Sequence, residues 1–339
     1  MASALLQELQ AFVLHDVKVT ERRLGNGSYG SVVEVEIPGA VCAAKTIHEH
    51  LVQGHRYARE RFVGECKLMS TLRHPNIVQF LGLCPVPGSS FPGLVMERLR
   101  CSLDDVLEAN PYPKQEIPLG MKRSILFDVA RGLSFLHCRS KPIVHRDLSA
   151  RNVLLNSAME AKIADFGVAR IVDVRHSMTS GPGAISYMPP EAMESGKYDT
   201  PIDIFSFGHL ALFTLIQKFP GDLKAPNYDV DGVLRPRTEV ERREEYFKLL
   251  YSQLAKDHPL VCITEKCLAN SPKRRPRIEE VSETLRAAKT VVSDRFEQST
   301  KLELIRMIEE KEEEIKVRFF SHTPYLSCIY SPSFYNIIL

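Results

Sequence analysis

Apolar and polar residues alternate in the first hundred positions in a way that predicts a β-sheet. The alternation has a period of two in residues 31–37, and short apolar runs at 40–45, 77–83 and 93–97 predict further strands. Residues 57–72 instead carry apolar side chains at helical spacing. We therefore expect a sheet with a helix in this part of the chain.

The pattern becomes helical after residue 101. Ser102 is followed by Asp104 and Asp105, which is typical of a helix N-terminus with acidic residues in its first turn. Apolar residues then recur at helical spacing in 119–138 and again in 277–288. Sheet signals in the first part and helix signals in the second part predict an α+β fold.

Both ends of the chain carry weaker signals. Residues 4–14 predict a short amphipathic helix, and residues 297–317 predict an exposed amphipathic helix or a short coiled coil. Residues 319–339 are apolar and interrupted by Ser and Pro, without a periodic pattern. No function follows from the pattern at either end.

Composition narrows the class of protein. Of the 339 residues 44% are hydrophobic and 25% charged, and 44 basic against 42 acidic residues give a net charge of +2. This balance gives no reason to expect nucleic acid or an anionic membrane as a partner. The sequence has no apolar run of about 18 residues, and its first residues lack a basic start. We therefore expect no membrane span, no signal peptide and a cytoplasmic location.

The eight cysteines form no C-x-x-C pair. Cys42, Cys66 and Cys138 fall within apolar or helical patterns. They are therefore expected to be reduced thiols in the core.

A glycine-rich turn separates two of the predicted strands. Residues 24–32 read L-G-N-G-S-Y-G-S-V. Glycine permits a sharp turn and lets the backbone approach a ligand closely. A dinucleotide-binding fold would continue into a helix here, whereas this chain continues into the strand at 31–37. The pattern favours either a loop that covers phosphates or a plain β-hairpin.

Lys45 lies at the end of the apolar strand predicted at 40–45. A buried ammonium group is costly unless it meets a counter-charge. Glu65 lies 20 residues later, within the helix predicted at 57–72, and is a candidate partner. The alternatives are a surface lysine that packs its stem along the sheet and a glutamate on a solvated helix face.

Charged residues interrupt two apolar runs near the middle of the chain. His145-Arg146-Asp147 is followed by Asn152, five residues after Asp147, and a D-F-G tripeptide begins at Asp165, 18 residues after Asp147. A short hairpin between the two acids would bring both to one cleft. Taken alone, Asp147 would be read as a helix N-cap and the tripeptide as a turn.

Five features of the sequence, taken together and in their order, resemble the motifs of eukaryotic protein kinases. They are the glycine turn, Lys45, Glu65, the H-R-D loop and the D-F-G tripeptide. The resemblance implies an α+β, two-lobed protein kinase fold, with a β-rich N-lobe and a mainly helical C-lobe. The implied boundaries are an N-terminal extension at 1–16, the N-lobe at 17–97, the C-lobe at 98–290, and a C-terminal helix and tail at 291–339.

The same resemblance implies ATP and Mg²⁺ as cofactors and protein substrates as partners. It makes Asp147 the base that orients the acceptor hydroxyl, and it makes Asn152 and Asp165 the metal ligands. The implied catalytic residues are Asp147, Lys45, Asn152 and Glu65. The implied nucleotide contacts are Gly25, Asn26, Gly27, Gly30, Val32, Ala43, Lys45, Met96, Glu97, Leu99 and Leu154.

The resemblance leaves the acceptor residue open between Ser/Thr and Tyr. Ser149 stands where many Ser/Thr kinases have a lysine, and Arg151 resembles the tyrosine-kinase loop. Ala184 stands where Ser/Thr kinases usually have a threonine, yet the segment ending at Glu191 lacks the Lys/Arg-Trp common in tyrosine kinases. The chain resembles the tyrosine-kinase-like group, which mostly modifies Ser/Thr, so we favour Ser/Thr.

Three departures from the family pattern keep a second class of function open, a pseudokinase that binds nucleotide without turnover. They are Ala184, Pro189 in place of the alanine of the Ala-Pro-Glu anchor, and Phe205 in place of the usual Trp. A small-molecule kinase is disfavoured, because the long loop and its Pro-Pro-Glu end suit peptide binding.

Further contacts and modifications follow from the resemblance. Arg275 is expected to pair with Glu191, and His145 is expected to pack with Phe166. The loop at 168–188 offers Ser177, Thr179 and Ser180 as sites for an upstream kinase or for autophosphorylation.

Overall fold

The computed structural model describes residues 7–26, 30–48, 56–89, 91–108, 117–167, 170–171, 189, 191, 199–217, 227–228, 234–235, 239–288 and 306. The chain divides into two compact units, Met1–Arg100 together with Glu309–Leu339, and Cys101–Ile308. The lobe boundaries expected from the sequence stay a prediction.

The first unit is built on a five-stranded antiparallel sheet in the order β1-β2-β3-β5-β4. Its strands are β1 Lys18–Asn26, β2 Ser31–Ile37, β3 Ala40–Lys45, β4 Phe80–Cys84 and β5 Gly93–Glu97, and helix α1 spans Arg56–Ser70. Because a strand and not a helix follows the glycine turn, the dinucleotide-binding fold is excluded. Strand β4 begins later than expected, since the Ile77 N–H donates to the His74 carbonyl in a turn, at 3.1 Å.

The segment before β1 differs from the helix expected at 4–14. Its described part contains a 3₁₀ turn at Gln10–Phe12, after which Val13 forms a parallel bridge with Leu83. The Leu14 N–H donates to the Leu83 carbonyl at 2.9 Å. The expectation is wrong for residues 13 and 14, because their backbone pairs with β4 instead of continuing a helix.

The second unit is mainly helical. Its helices are α2 Leu103–Glu108, α3 Leu119–His137, α4 Pro201–Ile216, α5 Glu239–Gln253, α6 Pro259–Cys267 and α7 Ile278–Ala287. Its strands are β6 Cys101–Ser102, β7 Ile143–Val144, β8 Val153–Leu155, β9 Ala161–Ile163, β10 Arg170–Ile171, β11 Asn227–Tyr228 and β12 Leu234–Arg235. Strands β6, β8 and β9 form one sheet, β7 pairs with β10, and β11 pairs with β12.

The helices expected at 57–72, after Ser102, at 119–138 and at 277–288 are confirmed as α1, α2, α3 and α7. Helix α2 begins with a capping box, because the Ser102 hydroxyl accepts from the Asp105 N–H at 3.0 Å and the Asp105 carboxylate accepts from the Ser102 N–H at 2.8 Å. Apart from Arg306, the helix expected at 297–317 lies outside the described residues. Within the described parts of the chain, no helix combines the length and apolar character that a membrane span requires.

Helix α4 forms the centre of the second unit's core. All of its residues from Ile202 to Ile216 are buried, as in a helix that is enclosed by protein on every side. It packs against α3, α5 and α6. Its C-terminal end is met by the buried Lys122, whose ammonium donates to the Leu215 carbonyl at 2.8 Å. A cation at this end satisfies a carbonyl that has no partner within the helix.

The expected pair of Arg275 and Glu191 is confirmed. The guanidinium forms two parallel hydrogen bonds with the carboxylate, and the bond from Nη2 to Oε2 is 2.8 Å long. The guanidinium also lies 4.7 Å from the centre of the Phe205 ring. The phenyl ring that replaces the usual Trp therefore still supports a cation–π contact.

Two of the three thiols that were expected in the core are there, and one is not. Cys42 and Cys66 are buried, whereas Cys138 is exposed. Cys138 follows the last residue of α3, and its Sγ donates to the Glu279 carboxylate at 2.9 Å. Partial burial and the neighbouring carboxylate raise the pKa of this thiol to about 11. The expectation failed because the helical pattern did not show where α3 ends.

The carboxylate of Asp203 ties helix α4 to the loop that contains the H-R-D motif. Its Oδ2 accepts from the His145 N–H and its Oδ1 accepts from the Arg146 N–H, both at 2.8 Å. Oδ2 also lies 2.8 Å from His137 Nε2. Burial alone would raise the pKa of this carboxyl, but the hydrogen bond and charge of His137 and the hydrogen bond from the Arg146 N–H together hold it below the ordinary value of 3.8.

We expect Asp203→Asn to lower the free energy of unfolding at pH 7 by about 3 kcal/mol, because it removes a buried charge on which three donors converge. Urea denaturation measures the loss. Asp199→Asn is the matched control, since Asp199 is exposed and lies four residues earlier. That change should stay within about 0.5 kcal/mol.

The stabilisation from Asp203 should depend on pH. Because the folded-state pKa lies below 3.8, the contribution is present above that pH and is lost as the pH falls through the folded-state pKa. The difference in stability between wild type and Asp203→Asn should therefore shrink in acid. A difference that stayed constant well below pH 3.8 would contradict the role of the ionised carboxylate.

Candidate active site

Gly30, the last glycine of the turn, lies against the backbone of Thr46, the residue that follows Lys45. A Cβ atom added to Gly30 would lie 1.6 Å from the Thr46 carbonyl oxygen, so only glycine fits at this position. The Ser31 carbonyl accepts from both the Thr46 N–H at 2.8 Å and the Thr46 hydroxyl at 3.0 Å. The turn and the lysine strand are thus joined directly. Gly27 lies outside the described residues, whereas Gly25 and Asn26 lie at the end of β1.

Lys45 and Glu65 form the ion pair that the sequence suggested. Lys45 Nζ lies 3.3 Å from Glu65 Oε1, and the two side chains are 19% and 10% exposed. Glu65 is carried by α1 and Lys45 by the end of β3. Because the pair is largely shielded from water, its attraction is screened less than that of a surface pair. The contact holds the ammonium at a defined place beside the sheet.

The register of the sheet brings four of the expected nucleotide contacts together. Val32 lies opposite Lys45, and Ala43 lies opposite Met96. Ala43 and Lys45 are two residues apart on one strand, so their side chains point to the same face. Val32, Ala43, Lys45 and Met96 therefore share one face of the sheet.

The residues after Met96 are fixed by contacts within the first unit. The Glu97 N–H donates to the Gln79 carbonyl at 3.0 Å, and its carboxylate accepts from the Gln79 N–H at 2.7 Å. The Arg98 guanidinium lies 2.8 Å from the Glu34 carboxylate on β2. Leu99 is half-buried. The segment that contains the expected nucleotide contacts Glu97 and Leu99 is thus held by bonds on two sides.

In the second unit, the H-R-D loop is organised by Asn152. The Asn152 amide nitrogen donates to the Asp147 carbonyl at 2.7 Å and to Asp147 Oδ2 at 2.9 Å. A short 3₁₀ helix, Ala150–Asn152, follows Ser149, so Asp147 is not the N-cap of a helix. These bonds fix both the backbone and the carboxylate of Asp147.

The β8–β9 hairpin brings the D-F-G tripeptide to the same loop. The Ala164 N–H donates to the Asn152 carbonyl at 2.8 Å. His145 Nδ1 accepts from the Asp147 N–H at 3.3 Å, and its Nε2 lies 2.9 Å from the Ala164 carbonyl. Because Nδ1 accepts from the Asp147 N–H, Nε2 is the nitrogen that donates to the Ala164 carbonyl.

Three of the expected residues therefore lie in one unit: Asn152 is bonded to Asp147, and the residue before Asp165 is bonded to Asn152. The Phe166 ring packs edge-on against His145, with ring centres 5.0 Å apart, which confirms the packing expected for this pair. Asp165 has a φ of 61°, and its Oδ1 accepts from the Gly167 N–H at 3.3 Å. Leu154 lies in the middle of β8.

Sequence reasoning missed the part that Asp203 plays in this site. No contact with this site was expected for Asp203, although its carboxylate accepts from the backbone of His145 and Arg146. A signal was present, because Asp203 is an acidic residue in a helix whose other positions are almost all apolar. A buried charge of this kind must have partners close by.

Comparisons with known proteins bear on the same motifs. The family described as protein tyrosine and serine/threonine kinase matches residues 18–285. A probable serine/threonine-protein kinase from Dictyostelium discoideum is 35% identical over 208 residues, which cover 60% of this chain and 20% of that protein.

Two relatives from Arabidopsis thaliana cover more of the chain. A probable LRR receptor-like serine/threonine-protein kinase is 32% identical over 77% of this chain and 26% of its own length. The probable serine/threonine-protein kinase PBL8 is 29% identical over 77% of this chain and 66% of its own length. The chain thus spans only about a quarter or less of the longer relatives. Since the family match covers most of the chain, the chain belongs to the protein tyrosine and serine/threonine kinase family.

Proposed function

We propose that this protein is an ATP-dependent protein kinase that transfers the γ-phosphate of ATP to serine or threonine hydroxyls of protein substrates. The observation that carries the proposal is the pair of hydrogen bonds from Asn152 to Asp147. They hold a carboxylate in a fixed direction within a loop that is anchored to the core. A kinase needs such a group to orient the acceptor hydroxyl.

In the proposed reaction, the substrate hydroxyl donates its proton to the Asp147 carboxylate while its oxygen attacks the γ-phosphorus. The bond from the γ-phosphorus to the bridging oxygen breaks, and ADP leaves. Lys45 binds the α- and β-phosphates through its ammonium, and Glu65 keeps that ammonium in place. Positioning and neutralisation of charge supply most of the catalysis, since phosphoryl transfer needs little covalent chemistry from the protein.

The proposed nucleotide site of the first unit follows from the shared sheet face. The purine would pack on Val32, Ala43 and Met96, and the backbone of Glu97 and Leu99 would bind its polar edge. Gly25, Asn26, Gly27 and Gly30 would cover the phosphates, with Gly30 held against Thr46. Leu154 is the nucleotide contact that we propose within the second unit.

The residues proposed for Mg²⁺ fit a hard cation. The Asn152 nitrogen is engaged by Asp147, so its amide oxygen is the atom offered to a metal, and Asp165 offers a carboxylate. Mg²⁺ prefers such oxygen ligands and takes the rest of its shell from water and phosphates. When bound, Mg²⁺ would neutralise negative charge on the phosphates.

Serine or threonine is the proposed acceptor for two reasons. The relatives compared above are named serine/threonine kinases. In addition, Arg151, the residue that resembles a tyrosine-kinase loop, donates to the Asp104 carboxylate at 3.0 Å. That contact joins the loop to α2, so the presence of Arg151 has a structural explanation and does not by itself favour tyrosine. The proposed cytoplasmic location rests on the sequence alone.

The first experiment offers radiolabelled ATP and a mixed protein substrate to wild type and to Asp147→Asn. Wild type should label serine and threonine, as read by phospho-amino-acid analysis. Asp147→Asn should lose at least about 10²–10⁴-fold in turnover, because a general base is removed, and should bind ATP nearly as before.

Asp257→Asn, which changes an exposed carboxylate, is the matched control and should keep full activity. Label on tyrosine alone would point to the alternative acceptor. Nucleotide binding without any turnover in wild type would point to a pseudokinase. Normal turnover in Asp147→Asn would remove that residue from the mechanism.

Asp165→Asn should weaken binding of Mg²⁺·ATP, because the proposed metal site loses an anionic oxygen. Adenosine carries no phosphate and recruits no metal, so it should bind as it does to wild type. Calorimetric titration of both ligands checks this. Equal losses of affinity for the two ligands would be inconsistent with a metal-binding role.

We further propose that phosphorylation of Ser177, Thr179 or Ser180 raises activity. These residues lie outside the described part of the chain. A phosphate adds about −1.5 to −2 charge and would bind Arg146, whose backbone is fixed by Asp203, in a charge-assisted contact. The loop would then be held in a substrate-binding form.

The measurement compares autophosphorylated protein, phosphatase-treated protein and the triple Ala variant of these positions. Specific activity should be highest in the autophosphorylated sample. Equal activity in all three samples would disprove the switch and leave the proposed kinase activity untouched.

A further inference from the structure

The segment formed by residues 9–17 is packed onto the sheet of the first unit. Leu9 is buried, and Leu14 binds the edge strand β4 through its backbone. The Leu14 and Val17 side chains pack against one cluster of small core residues. The cluster consists of Val35, Cys42, Ala44, Cys84 and Val95.

Strand β4 has no side chain where the segment crosses it. The residue at that point is Gly82, and an added Cβ would lie 2.6 Å from the Phe12 carbonyl oxygen and 2.6 Å from Leu14 Cγ. These distances are far shorter than van der Waals contact, so any larger residue would displace the segment. The strand is therefore shaped to receive it.

Phe12 connects this segment to the proposed purine-binding face. Its ring packs edge-on against Phe80, with centres 5.9 Å apart. Phe80 lies directly opposite Met96 in the sheet, and Met96 lies opposite Ala43. Side chains directly opposite each other on neighbouring antiparallel strands are in contact distance on the same face. Phe12, Phe80, Met96 and Ala43 thus form one continuous row.

We propose that residues 9–17 form a positioning element for the nucleotide site, and that Phe12 is its key residue. The inference rests on the proposed function, because it needs Met96 and Ala43 to contact the purine. The segment precedes residue 18, where the family match begins. By packing against Phe80, Phe12 restricts β4, which pairs with the strand that carries Met96.

The physical reason lies in the position of β4 at the edge of the sheet. An edge strand pairs with another strand on one side only, so the backbone N–H and C=O groups on its other side have no partner strand. Here the segment supplies a backbone hydrogen bond to Leu83 and an aromatic contact to Phe80. Loss of that contact would let Phe80 and then Met96 sample other positions, which reduces the fraction of protein ready to bind ATP.

The test uses the full chain and measures KM for ATP, kcat, and the dissociation constant of Mg²⁺·ADP. Phe12→Ala should raise KM and the dissociation constant by roughly two- to tenfold, the range expected for one edge-to-face aromatic pair. The kcat at saturating ATP should not change. Phe12→Tyr should restore the wild-type values, since it keeps the ring. Gly82→Ala should reproduce the defect without changing the sequence of the segment, because the added methyl group would displace it.

Two controls separate positioning from general destabilisation. Leu81→Ala changes an exposed residue between Phe80 and Gly82 and should leave KM unchanged. Ile37→Ala removes packing at the far end of β2, so it should lower the melting temperature without raising KM. Hydrogen exchange of residues 93–97 without nucleotide should be faster in Phe12→Ala than in Ile37→Ala.

Two results would overturn the inference while the proposed function stands. One is wild-type affinity in a folded Phe12→Ala protein. The other is a KM in Ile37→Ala that rises as much as in Phe12→Ala at equal loss of stability. If wild type bound neither ATP nor ADP, the proposed function itself would fail, and the inference would fail with it.

Discussion

The buried carboxylate of Asp203 fixes the position of the H-R-D loop in the second unit. Helix α4 is enclosed by protein, and an ionised group inside it is tolerated only because His137 and two backbone N–H groups meet it at 2.8 Å. The two N–H groups belong to His145 and Arg146, so the loop is held by the core itself. From there the contacts extend outward, through His145 to Ala164 and through Asn152 to Asp147. The positions of Asp147 and Asn152 thus depend on a contact in the buried core of the second unit.

In the first unit, the register of the sheet positions the candidate binding residues. Antiparallel pairing sets Val32 opposite Lys45 and Ala43 opposite Met96, so residues far apart in the chain share one face. Two ion pairs link elements of this unit: Lys45 lies against Glu65, and Arg98 lies against Glu34. Strand β4 lies at an edge of this sheet, and residues 9–17 of the same chain pack against it.

Sequence reasoning succeeded where a local pattern carries the information. Period-two alternation predicted strand β2, helical spacing predicted α3, and the acidic first turn predicted the start of α2. It failed at residues 13 and 14, where a helix was expected. No local pattern could show that β4 offers a free edge to Leu14, since Leu83 lies 69 residues further along the chain. Cys138 was misjudged for a related reason, because the end of α3 depends on what packs beyond it.

The sequence by itself determined the order of the motifs, the type of most elements and the identity of the groups that bear charge. The residues in the H-R-D and D-F-G motifs, and the spacing of Lys45 and Glu65, could all be read without coordinates. Only the tertiary structure decided which of these groups meet, and in which direction they point. Asp147 is oriented by Asn152, the loop by Asp203, and the turn at Gly30 by the Thr46 carbonyl. The physical reason is that hydrogen bonds and close packing act over a few ångströms in space, whereas sequence patterns report only neighbours along the chain.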